Sequence, residues 1–236
     1  MSSSFSRHSL KEIVGKLIVG QFAAALFLLS ASFGHCLDRG LETASEYRGL
    51  PIVTDSRIAV RFYAVTGETA PQIREALNRL GPVDQMGRRG DAYTSWHVTW
   101  RWPTDKDGKA NLSQASCAVT VETMLPTVTT LNRLTSSLRE EWRTFAKALG
   151  DHEYQHALHG LTHGPKICEE IRHRAQLEPE GFTAEMAQTL AREAIVKIRA
   201  LDQRYDRDTL HGRTEGVRFP RIGTQTQERN GPTGSP

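Results

Sequence analysis

Apolar residues at Leu138, Trp142, Phe145 and Leu149 recur at i, i+4, i+7 and i+11, the spacing of a helix that buries one face. Continued at 100° per residue, the stripe takes in His152 and His156 and leaves Asp151 and Gln155 on the far side. Leu190, Ala194, Ile198 and Leu201 mark the apolar face of a second helix, running from about Thr183 to Arg204. Elsewhere the period drops to two. Over Ala92 to Trp102, one face carries Trp96, Val98, Trp100 and Trp102, assigned to the core, and the other Ser95, His97, Thr99 and Arg101. Ile52 to Val65 and Ala115 to Met124 read as two more strands. Between the first two strands, Thr69-Ala70-Pro71 opens a short helix that Gly81-Pro82 ends. Three strands with short connections predict a small antiparallel sheet packed on helices, an α+β fold. Residues 219–236, rich in Gly, Pro, Thr and Gln, are expected to form a disordered tail.

The N-terminus changes the picture of where this domain works. Arg7, Lys11 and Lys16 precede an apolar stretch from Leu17 to Phe33 with small residues at its end. That is the layout of a secretory signal over residues 1–34, with an uncleaved membrane anchor as its alternative. Both place residues 35–218, a single domain, outside the cytoplasm, either in the periplasm or secreted. Export bears on the three cysteines. Cys36 sits beside the cleavage region, which leaves Cys117 and Cys168 as a candidate disulfide or as two unpaired buried thiols. The net charge of +3 is spread among acids rather than gathered into a stripe, so a nucleic-acid partner is not expected.

The candidate chemistry lies in His152-Glu153-Tyr154-Gln155-His156. Residues four apart share a helix face, so two imidazoles can reach one Zn²⁺, and Glu153 can act as general base toward water. A catalytic zinc takes a third protein ligand. His159 lies about 10 Å along the axis from His152, too far to converge with it on one straight helix. His163 stands one place beyond the third histidine of an H-E-x-x-H-x-x-G-x-x-H pattern. Glu169 or Glu170 would serve only if Gly160 and Gly164-Pro165 bend the chain back. His211 is the preferred third ligand. Asp206 and Asp208 are candidates to orient a ligand imidazole, and Tyr205 to donate to an oxyanion.

Several short motifs come in a recognisable order: Gly67-Glu68-Thr69, Asp91 to Trp100, Cys117, Leu125-Pro126, Trp142, His152-Glu153-x-x-His156, and Tyr205-Asp206-x-x-Thr209-x-His211-Gly212. Together they resemble a bacterial domain-of-unknown-function family labelled predicted secreted zinc-dependent proteases, over about residues 50 to 217. The resemblance implies a zincin-like domain with the histidine motif on a long central helix. The expected function is an exported zinc-dependent metallopeptidase with one catalytic Zn²⁺, acting on a peptide or protein, cell-wall peptide among the candidates. Its rival is a non-catalytic, zinc-containing envelope binding or interaction protein. A membrane partner is expected only if the N-terminal segment is retained.

Overall fold

The structure is a computed structural model that describes residues 44–84 and 87–220. The signal or anchor expected over residues 1–34, Cys36, and residues 221–236 of the expected tail lie outside the described residues. Four helices are labelled here: α1 (Pro51–Thr54), α2 (Ala70–Leu80), α3 (Ser136–Leu177) and α4 (Ala184–Thr209). The strands are β1 (Ile58–Val65), β2 (Tyr93–Arg101) and β3 (Ser116–Val128). Among the described residues no helix is long and apolar enough to cross a membrane.

The sheet is mixed, not antiparallel as the sequence suggested. Its order is β1-β3-β2. β1 runs parallel to β3, in register from Ile58 opposite Val121 to Val65 opposite Val128. β2 runs antiparallel to β3, from Tyr93 opposite Met124 to Arg101 opposite Ser116. The physical reason is that α2 fills the link between β1 and β2, so the first two strands are not hairpin neighbours. β3 then enters between them and extends to Val128, longer than its apolar run suggested. The first expected strand also starts later. Pro51 sits at the head of α1, and Asp55 turns the chain by accepting the backbone N–H of Arg57, so extended pairing begins at Ile58.

Local signals set most helix starts. Thr69 caps α2 in a reciprocal box with Gln72. Thr135 Oγ1 accepts from Leu138 N at the head of α3, and Thr183 Oγ1 from Met186 N at the head of α4. α3 spans 42 residues and runs through Pro165 without folding back. Its glycines let the sheet come close instead of bending the chain. A Cβ on Gly160 would lie 2.6 Å from Trp96 Cβ, and one on Gly164 2.6 Å from Val119 Cγ2.

Two apolar clusters flank the site. One packs Trp142, Phe145 and Leu149 of α3 with Tyr47, Val121 and Leu125. The other packs Ile167 and Ile171 of α3 with Ala187, Ala191 and Ile198 of α4 and Val98 of β2. Of the tryptophan face, Val98 is buried, while Trp96, Trp100 and Trp102 are partly covered against the second cluster. Leu201, expected on the apolar face of α4, is exposed. Cys117 and Cys168 form a disulfide that ties β3 to α3 across 51 residues of chain. Phe219, the first residue of the expected tail, is buried against Trp142 and Phe145.

Candidate functional site

The stripe that buries Trp142, Phe145 and Leu149 also buries His152, Glu153 and His156, at 5%, 6% and 9% exposure. α4 packs beside α3 and runs on to Thr209, past the Arg204 end expected from its apolar residues. The extra turn adds Asp206 four residues after Asp202, on the same face, so that both carboxylates lie against the histidine pair.

Three atoms converge. His152 Nε2 lies 3.3 Å from His156 Nε2, Asp206 Oδ1 lies 3.2 Å from His156 Nε2, and Asp206 Oδ1 lies 3.4 Å from His152 Nε2. Four-coordinate zinc with bonds of about 2.0–2.1 Å requires ligand atoms about 3.3–3.4 Å apart, so the triangle has the size of one face of that tetrahedron. The outer ring nitrogens are also held. His152 Nδ1 faces Glu215 Oε2 at 2.9 Å, and His156 Nδ1 faces Asp202 Oδ1 at 3.1 Å. With Nδ1–H given to a carboxylate, each neutral ring turns its Nε2 lone pair into the triangle. The result is three acceptors aimed at one point, a demand met by a cation or by protons. The donor set of two imidazoles and one carboxylate suits zinc.

Protons are what hold the cluster without metal. Burial opposes charge on His156, but hydrogen bonds to Asp202 and Asp206 outweigh it and raise its pKa to about 10. His152 is raised in the same way, with Asp206, Glu153 and Glu215 overcoming burial. Asp206 is held below the usual carboxylate range because hydrogen bonds from both histidines defeat its own burial. Glu153 goes the other way. Its burial pushes its pKa up, and the nearby His156 offsets this only in part.

Asp202 also receives Trp96 Nε1 at 2.7 Å and His159 Nδ1 at 2.6 Å, so it joins β2, α3 and α4. Tyr205 stacks on the His152 ring at 4.9 Å and donates its hydroxyl to Glu215. The chain then reverses through three left-handed residues, Leu210, His211 and Gly212. A Cβ on Gly212 would lie 3.1 Å from His152 Cγ, so a residue without a side chain is required there.

The residues expected as third ligand separate clearly. His211 is 68% exposed, with Nδ1 3.6 Å from Asp206 Oδ1, and stands outside the triangle. Asp206 holds the third corner in its place. His163 lies about 10 Å beyond His156 along α3, and Glu169 and Glu170 about 20 Å beyond it and exposed, because the helix does not fold back. Asp208 is exposed and pairs with Arg204. Asp202 and Glu215 were not anticipated. The spacing of Ile198, Asp202, Tyr205 and Thr209 at i, i+4, i+7 and i+11 carried the signal for the first. Nothing local marked the second.

A cleft of ≈ 1490 Å³ opens over these groups, bordered by Tyr93 to Trp96 of β2 and by the segment that follows Gly212. β2 is an edge strand, so one side of its backbone is unpaired within the sheet. Such a site, a His-His-carboxylate cluster on two packed helices beside a small mixed sheet, defines an α+β domain with a candidate metal centre. The chain belongs to the bacterial family of unknown function DUF922, whose model matches residues 60–212, from within β1 through the end of α4 to Gly212. No curated protein and no solved structure matches it.

Proposed function

We propose that this protein is an exported, zinc-dependent metallopeptidase. The observation that carries the reading is the triangle of His152 Nε2, His156 Nε2 and Asp206 Oδ1 with the buried Glu153 carboxylate beside it, at the floor of an open cleft. Those three atoms would hold zinc, and Asp202 and Glu215 would fix the two rings. Zinc, when bound, supplies a Lewis acid that polarises a carbonyl and acidifies water. Glu153 takes a proton from the attacking water on one carboxylate oxygen and later returns it to the leaving amine nitrogen. Its burial suits the task, since it raises the carboxyl pKa above the ordinary value and so favours the return of the proton after it has been accepted. The free edge of β2 offers backbone groups to an extended peptide, laying it across the floor of the cleft.

Elemental analysis and a peptide-cleavage assay test this together. The parent protein is expected to carry about one zinc per chain, in line with a single three-ligand site. Glu153→Gln is expected to keep the metal and to lose cleavage by about 10²–10⁴-fold. Zinc in both proteins with cleavage by neither would leave the non-catalytic binding protein as the better reading. A parent purified without chelators that carries no zinc would overturn the proposal.

A further inference from the structure

Charge in the cleft lining is not balanced. Arg74 pairs with Asp91, and Arg88 with Asp84 at 2.8 Å, so these four cancel. The other carboxylates of the lining, Glu153, Asp202 and Asp206, are turned toward the histidines. Four further guanidinium groups line the cleft. Arg89 donates to the backbone carbonyl of Gly81 and Arg218 to that of Arg213. Arg199 and Arg213 are exposed and, among the described residues, form no ion pair. Arg199 lies three residues before Asp202 on α4 and lines the cleft together with Tyr93 of β2. Arg213 follows Gly212, the residue packed against the His152 ring. Two exposed cations, one on α4 and one on the segment after it, therefore line the cleft that holds the candidate metal centre.

We propose that the cleft selects peptides bearing carboxylates beside the bond to be cut, with Arg199 and Arg213 as their charge partners. A guanidinium fork matches a carboxylate in two parallel hydrogen bonds, and a cleft walled by protein strengthens such pairs relative to open water. The proposal rests on the peptidase reading for its substrate but not for its test, which measures binding.

Fluorescence anisotropy with the Glu153→Gln protein would compare a labelled Glu-containing peptide with the same peptide carrying Lys in place of Glu. The acidic peptide is expected to bind about tenfold more tightly at low salt, and the preference to shrink as ionic strength rises. Arg199→Gln and Arg213→Gln are each expected to weaken the acidic peptide about threefold, and together about tenfold, while leaving a neutral peptide unchanged. Melting curves of the variants would check that they fold. Equal binding of acidic and basic peptides, no binding of either, or an unchanged affinity in the folded double variant would overturn the proposal. Selective acidic binding by a protein whose parent cleaves nothing would uphold it and count against the peptidase instead.

Discussion

Asp206 and His211 stand five residues apart, yet only the first reaches the corner that His152 and His156 leave open. The difference is one of geometry. Asp206 is still helical and rides on a face packed against α3, while His211 belongs to the left-handed reversal that carries its imidazole to the rim. Around the triangle, each histidine is gripped at both nitrogens by carboxylates, and this has a consequence for pH. The pKa of His156 is raised from 6.5 to about 10 in the folded, metal-free protein. Its stabilising contribution is therefore complete below about pH 6.5 and is lost as the pH rises through about 10. Metal must displace the same protons, so zinc affinity should rise with pH over that window. Calorimetric titration of zinc into metal-free protein at pH 7, repeated in buffers of different ionisation enthalpy, is expected to show about one to two protons released per zinc. Heats independent of the buffer would mean that the histidines are neutral before metal arrives.

At the scale of elements, α3 positions the site and the sheet positions α3. Gly160 and Gly164 let the helix lie directly on Trp96, Val98 and Val119, which brings the histidine-bearing turns level with β2. Gly160→Val is expected to drive a side chain into the Trp96 ring and to destabilise the fold by about 1–3 kcal/mol, with a lower midpoint in denaturant melts. A midpoint equal to that of the parent would show that the helix is free to lift off the sheet. Much of α3 was legible beforehand, because Leu138 to His156 form one unbroken stripe and periodicity is a local property. The parallel pairing of β1 with β3 was not, since nothing within either strand records which neighbour it will meet. Asp202 was missed for a related reason. Asp202 falls inside the expected helix, but the aliphatic pattern of α4 stops at Leu201 and the packed face continues in polar side chains that only the partner helix explains. Glu215 sits in a single turn of 3-10 helix whose place depends on the reversal at Leu210 to Gly212.

Across the whole molecule, one loop of 51 residues is closed by the Cys117–Cys168 disulfide, which joins the central strand to the helix that carries the site. Cross-linking a loop of that length restricts the unfolded chain, and reduction is expected to lower stability by about 2–4 kcal/mol. Thermal melts with and without a strong reductant measure it, and equal melting temperatures would count against a structural role for the bridge. The bridge lies along α3 on the far side of Gly160 from the histidine pair, so reduction should loosen the fold more than it alters the ligand triangle. The proposed zinc site of His152, His156 and Asp206 lies where α3 and α4 pack together beside the sheet. Competition titration against a chromophoric chelator, run on the parent protein and on the Asp206→Ala and His211→Ala variants, tests it most directly. Asp206→Ala is expected to weaken zinc binding by about a hundredfold or more, as loss of a ligand should, and His211→Ala to stay within about threefold of the parent. Tight binding retained by Asp206→Ala, with the loss falling on His211→Ala, would contradict it.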